Sequence, residues 1–289
     1  MRETLQRIHE IYPNLTRAKK TVANYFLKNY KDIPFKTVTT LAAEIGVSDT
    51  TIINLCTELG FDGFTSFKRT AKEYVQATTT FNKFSANADS MHGDGTNIID
   101  LILNQEFDNI YATLSNEENR KNFYKLIEMI QRAEKIYILG FRSSAVMAQL
   151  LGFNFRQQAL PVKVITPDIG DCIDKIIYIT QKDLVIAFTF ARYSTDVLLS
   201  LKALKNRGVS IVGITDFGLS QCYQYSDFTF QCQTKSNTYV NSYSSCLSLI
   251  CEITTLSALS RKEQTTKLLK ELEDMFTLFE TFENEVYFK

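Results

Sequence analysis

Two stretches place a cation and several hydroxyls where an apolar run ends. GFRSSAVMA (140–148) follows KIYILG (135–140), and FTFARYST (188–195) follows DLVIAF (183–188). A strand that runs into a helix leaves unpaired backbone N–H groups at the helix start, and these attract anions. In the first stretch, which opens at Gly140, Arg142 adds a planar fork suited to phosphate or carboxylate, and Ser143 and Ser144 add hydroxyl donors. In the second, Thr189, Arg192, Tyr193, Ser194 and Thr195 offer the same chemistry. Serine and threonine at a helix start often serve only as caps. Two junctions that both combine an arginine with hydroxyls favour an anion site. TDFGLS, after VSIVGIT (209–215), is a third polar junction.

A different chemistry is expected near the N-terminus, in LAAEIGVSDTTIINL (41–55). A helix-turn-helix needs a small residue on its first helix, a glycine in the turn and a second helix with a polar outer face. Thr39–Ile45 is the first helix, with Ala42 as the small residue. Gly46 can take the positive φ that ends it. Val47 fills the corner, and Ser48 or Asp49 caps the second helix. Leu41, Ile45, Ile52 and Leu55 form the inner face; Thr50, Thr51, Asn54 and Thr57 remain outside. The second helix is expected in a DNA major groove. Ser48, Asp49, Thr50 and Thr51 would lie by phosphates and base edges, and Asn54 could pair with adenine. Lys36, Lys68 and Arg69, with Lys72, Lys19 and Lys20, are candidates for backbone phosphates. With so few cations per copy a monomer should bind weakly, because non-specific affinity follows the phosphates neutralised. A dimer or tetramer on a two-fold operator is therefore expected.

The elements that must hold these residues follow from periodicity. Residues 1–75 read as all-helical: Leu5, Ile8 and Ile11 share a face up to Pro13, Thr16 can cap the next helix, and Ala18, Val22, Phe26 and Tyr30 run along it. Phe64, Phe67 and Ala71 line a helix after the motif. Residues 76–96 are polar, small and glycine-containing, which fits a linker. Helical spacing resumes at Ile98, Leu101, Ile102 and Phe107, and again over Phe123–Arg132. From residue 135 short apolar runs at 135–140, 162–165, 183–188, 209–215 and 227–230 alternate with helices. Apolar runs without alternation imply a parallel sheet covered on both faces. Its carboxyl edge is where a ligand crevice forms. An apolar helix spans 241–259, and Leu268, Leu272, Met275, Phe279 and Phe282 share one face of the tail. The expected organisation is an all-α domain over 1–75, a linker over 76–96, an α/β effector-binding domain over 97–262 and a C-terminal helix over 263–289.

Composition narrows the classes. The 289 residues carry 32 Lys plus Arg and 32 Asp plus Glu, so a basic field over the whole protein is excluded. Residues 1–80 hold an excess of three positive charges, a weak bias toward a polyanion. Six cysteines without a Cys-x-x-Cys pair, and only His9 and His92, exclude a standard Cys/His zinc site. Asp168, Asp171 and Asp174 flank Pro167 and Gly170, and a turn before a capped helix explains them better than a metal. No secretion signal and no apolar run of about 18 residues is present. A cytoplasmic protein with reduced thiols, no cofactor and no membrane contact is expected.

FKTVTTLAAEIGVSDTTIINLCTELGFDGFTSFKR resembles the N-terminal domain of RpiR/MurR-type bacterial transcription regulators. There a Leu-Ala…Gly-Val-Ser core precedes Cys-x-x-Leu-Gly-Phe-x-Gly-Phe, here Cys56 to Phe64. That family usually has arginine where Asn54 stands. The block from about Ile98 to Leu259 resembles a SIS (sugar isomerase) domain. Its usual Gly-x-Gly-x-Ser loop is matched by Gly140 and Ser144, with Arg142 at the second glycine. Its Ser-x-Ser-Gly-x-Thr loop corresponds to residues 189–194, with Ala191 for a serine and Arg192 for the glycine. The resemblance implies a regulator that senses a small anionic metabolite, a phosphosugar. An aldose–ketose isomerase would need a Glu or His base. Neither loop contains one, and Glu252 lies within an apolar helix, so an enzyme is not expected. The alternatives are an isomerase-like enzyme with a helical appendage and a metabolite sensor that binds protein instead of DNA.

Overall fold

The computed structural model describes residues 2–30, 32–78, 98–167, 172–216, 220 and 222–279. Most of the expected linker, together with His92, Asp168, Asp171 and Phe282, lies outside the described residues. Two compact units emerge. One takes residues 1–109, 216–221 and 233–242; the other takes 110–215, 222–232 and 243–289.

The first unit opens with five helices: α1 (Arg2–Ile11), α2 (Arg17–Asn29), α3 (Val38–Ile45), α4 (Asp49–Glu58) and α5 (Phe64–Thr78). Their ends follow local chemistry. Thr16, Thr37 and Ser48 each accept a hydrogen bond from the backbone N–H three residues on, which caps α2, α3 and α4. Gly46 stops α3 in the left-handed region at φ 75°, with its N–H donated to the Ala42 carbonyl. Ile8, Val22, Phe26, Leu41, Ile52, Leu55 and Phe67 are fully buried. Ala18, expected on the inner face of α2, is exposed. Helix α5 runs to Thr78, past the expected domain end at 75.

Helices α6 (Ile98–Leu114) and α7 (Glu117–Arg132) precede the sheet. The second unit then alternates: β1 (Ile136–Gly140), α8 (Ser144–Arg156), β2 (Val162–Ile165), α9 (Cys172–Ile176), β3 (Leu184–Thr189), α10 (Thr195–Asn206), β4 (Ser210–Asp216), α11 (Cys222–Tyr225) and β5 (Phe228–Cys232). Helices α12 (Ser244–Ser260) and α13 (Lys262–Leu278) follow. The strand order is β2-β1-β3-β4-β5, and β1–β2, β1–β3 and β3–β4 pair in parallel. β1 and β3 are buried at every position, as their unalternated apolar sequences require. One face packs Phe123, Leu126, Leu151, Phe155, Leu249 and Ile253 from α7, α8 and α12. The other packs Ile176, Val197, Leu201 and Leu204 from α9 and α10. The β5 edge is closed by side chains of α7: Asn119 donates to the Gln231 carbonyl and accepts from its N–H, and Asn122 donates to the Thr229 carbonyl.

Strand order reverses between β1 and β3, so connections leave these neighbours in opposite directions. A crevice must open beyond their carboxyl ends. The loops carrying Arg142 and Arg192 start there.

Candidate functional site

The helix-turn-helix face is built on α4, which packs against α2, α3 and α5. Thr50, Asn54 and Thr57 are exposed on it, and Thr51 is half-buried. Ser48 is spent as the cap, with its Oγ 2.9 Å from Thr51 Oγ1. Asp49 Oδ2 accepts from Thr39 Oγ1 at 3.0 Å, which ties the two helices of the motif. Thr57 donates to the Ile53 carbonyl of its own helix.

The expected phosphate contacts divide. Lys36 Nζ lies 2.6 Å from Glu44 Oε2 and 3.0 Å from Tyr25 Oη. The bond to Glu44, then that to Tyr25, holds the lysine above its usual pKa. The bond to Lys36 holds Glu44 below the usual carboxylate value. Lys68 Nζ donates to the Lys36 carbonyl at 2.8 Å. Lys19 pairs with Glu58, and Lys20 donates to the Pro13 carbonyl. Arg69 and Lys72 are exposed. Lys36 can serve a phosphate only by exchanging Glu44 for it. Such exchange costs little at a surface pair. This pairing was not visible from the sequence, since its partners sit eight or more residues apart.

The second site is a cleft of about 1130 Å³ in the α/β unit, on the α9–α10 side of the sheet. It gathers Arg142, Arg192, Tyr193, Ser194 and Thr195 from the expected set. Lys175, Thr166, Cys172, Ser200 and Asp196 are added, with an apolar wall that includes Phe141, Ile173 and Leu199. Lys175 Nζ reaches back to the Thr166 carbonyl at 3.0 Å. Cys172 Sγ lies 3.0 Å from Ser200 Oγ. Burial raises the Cys172 pKa more than that hydrogen bond lowers it, so the group stays a thiol.

Both loop arginines adopt left-handed backbone, φ 57° at Arg142 and φ 67° at Arg192. These are the two positions where the SIS pattern has glycine. A side chain there costs about 1–2 kcal/mol, and such strain persists where surrounding structure or function demands it. Helix α10 starts at Thr195 with no side-chain cap from Ser194, so its first N–H groups and the Ser194 hydroxyl are open to the cleft. The structure thus does not use Ser194 as an ordinary cap.

Four expected residues lie elsewhere. Gly140 ends β1 and lets α8 pack: a Cβ there would stand 2.4 Å from the Ser144 carbonyl oxygen. Ser144 is buried. Ser143 Oγ bonds Tyr243 Oη at 2.7 Å, and that ring packs edge-on to Phe190. Thr189 is buried at the end of β3, and its carbonyl accepts from Thr215 Oγ1 at 2.6 Å. Among the described residues no three His, Cys, Asp or Glu side chains form a metal-binding group. No described helix is long and apolar enough to cross a membrane.

The left-handed arginines make a stability prediction. Arg192→Gly should unfold at a higher temperature than Arg192→Ala, by the equivalent of about 0.5–1 kcal/mol. Both lose the guanidinium, but only glycine relieves the backbone, and its greater unfolded-state entropy offsets part of the gain. Calorimetry on the two purified variants checks the order.

Residues 2–78 match the helix-turn-helix domain of the rpiR family, and residues 129–258 match the SIS domain. An uncharacterized HTH-type transcriptional regulator of Haemophilus influenzae is 21% identical over 229 residues, which is 78% of this chain and 77% of that one. Another from Caldanaerobacter subterraneus is 23% identical over 230 residues, 78% of this chain and 79% of the relative. Among solved structures, the Vibrio vulnificus NanR protein complexed with ManNAc-6P superposes with a TM-score of 0.58 at 19% identity, covering 96% of this chain and 98% of that one. The sugar isomerase domain of an RpiR transcription factor from Sphaerobacter thermophilus gives 0.56 at 20% identity, covering 60% and 97%. With a helix-turn-helix domain of this kind at its N-terminus and a SIS domain after it, the chain belongs to the RpiR family of transcriptional regulators.

Proposed function

We propose that the protein is a cytoplasmic transcription regulator that reads duplex DNA through α4 and senses a small anionic metabolite, a sugar phosphate, in the cleft between the 140–145 and 189–195 loops. The observation that carries the ligand reading is the pair of left-handed arginines flanking the uncapped start of α10 in one cleft. Cations and open N–H groups suit a phosphoryl group. The half-apolar wall suits the carbon skeleton of a sugar. The structural neighbour NanR carries ManNAc-6P, which supports the same ligand class here. Among the described residues the cleft offers cations, hydroxyls and one carboxylate, Asp196, and this donor set suits binding better than proton shuttling.

Regulation requires the effector to prefer one arrangement of subunits over another. The assembly we propose is a dimer or tetramer. Ile99, Phe107 and Tyr111 on α6, and Leu278 at the end of α13, are more than half exposed. These are apolar surfaces a second subunit could cover.

The reading makes two measurable demands. Duplex binding by the full chain should fall steeply with salt, with a slope that counts the phosphates neutralised. A thermal-shift screen of hexose phosphates, amino-sugar phosphates including ManNAc-6P, and sugar acids should give a stabilising compound whose unphosphorylated parent has no effect. A sensor that binds protein instead of DNA would show the second response without the first. Turnover of a phosphosugar by pure protein would replace the regulator reading with the isomerase one.

A further inference from the structure

Helix α4 divides cleanly between two stripes. Ile52, Leu55, Cys56 and the following Leu59 face inward and are buried. Thr50, Ile53, Asn54 and Thr57 face outward at the same spacing, i, i+3, i+4 and i+7. The outward stripe therefore includes an isoleucine, 39% exposed, among polar neighbours. No guanidinium or ammonium stands on this helix. The other exposed residue, Glu58, is paired with Lys19.

In the major groove these side chains have different base preferences. Arginine and lysine read guanine, asparagine pairs with adenine N6 and N7, and apolar groups and threonine methyls contact the thymine 5-methyl. Thr57 has already donated its hydroxyl proton to the Ile53 carbonyl, which leaves its methyl as a contact group. Three of the four outward residues can thus present a methyl surface, and the fourth suits adenine.

We infer that α4 selects A·T base pairs at the centre of each half-site, with Ile53 as the reader of a thymine methyl and Asn54 as the reader of an adjacent adenine. This rests on the DNA-binding reading above and adds its base preference. Ile53 is then a specificity-determining residue, exposed in the free protein because its covering surface is the thymine.

The test uses the full-length protein and a library of duplexes with a randomised core, selected at one fixed salt concentration. Enriched half-sites should carry A·T pairs at their centre. Replacing each central thymine by uracil removes only the methyl. At one position this should weaken binding about fourfold, which is about 0.8 kcal/mol. Ile53→Ala should bind the thymine duplex as weakly as the natural protein binds the uracil duplex, and should not distinguish the two. Asn54→Arg should shift the selected base next to it toward guanine. Central G·C pairs, or indifference of the natural protein to every thymine-to-uracil change, would overturn the base preference while leaving DNA binding intact. No enrichment of any duplex would overturn the DNA-binding reading and this one with it.

Discussion

Replacing Arg142 and Arg192 together by alanine should remove most of the stabilisation by the phosphosugar that best protects the natural protein, while affinity for DNA without effector stays the same. Hydrogen bonds to a charged group contribute about 1.5–3 kcal/mol each. Losing two weakens binding at least about a hundredfold, at about 1.4 kcal/mol per factor of ten. At a ligand concentration near 100 times the dissociation constant, the natural protein gains about 2.7 kcal/mol, and the double variant at that concentration gains about 0.4 kcal/mol. In a unit of this size that is a shift of roughly 5–10 °C collapsing to about 1–2 °C. Stability without ligand should change little, because alanine keeps the left-handed cost at both positions and the arginine side chains are exposed. If the double variant keeps the full shift, the effector sits elsewhere. The withdrawn pair Ser143 and Tyr243 on the opposite face of the sheet would then be the place to look.

The helix-turn-helix was legible because its determinants are local. Gly46 and Ser48 act within three or four residues of themselves, so their types and spacing set the turn, while the first helix starts at Val38 behind a Thr37 cap, one residue before the expected Thr39. The sheet was legible because strands buried on both faces have no polar alternation, and the observed bounds of β1, β3 and β4 lie within a residue of the apolar runs. The cleft was legible only in part. Arg142 and the 192–195 loop sit at the strand ends, where the reversal of strand order places them. Lys175, Cys172 and Thr166 come from a stretch holding a five-residue helix, too short to show any periodicity. Ser143 looked like an anion donor, yet its partner Tyr243 lies a hundred residues on. No local rule reports such a contact. The left-handed backbone of the arginines was equally hidden, since arginine carries no preference for it. The glycines that a SIS pattern has at those two positions were the one available signal.

Phe67→Ala should unfold the DNA-reading unit at moderate temperature and abolish duplex binding, yet leave phosphosugar stabilisation of the α/β unit in place. Phe67 is fully buried on α5. It stacks on Phe26 of α2, with centroids 4.5 Å apart and planes 15° apart, and meets Phe61 edge-on at 5.4 Å. Truncating such a side chain costs about 3–5 kcal/mol, and the aromatic contacts contribute within that range. A helical module of under 80 residues has a total stability of roughly 4–12 kcal/mol. The loss is therefore a large share of the whole. Helix α4 packs on both α2 and α5, so loosening their shared ring stack releases the outward stripe of Thr50, Ile53, Asn54 and Thr57 from its fixed orientation. Phe67→Leu keeps most of the volume and should retain binding with a smaller fall in melting temperature; Thr65→Ala, at an exposed position on the same helix, should change neither. Calorimetry should resolve a displaced transition for Phe67→Ala beside one that still responds to ligand. Should ligand stabilisation vanish along with DNA binding, the two units do not fold separately; should duplex affinity survive the substitution, the aromatic stack is not what holds α4 in place.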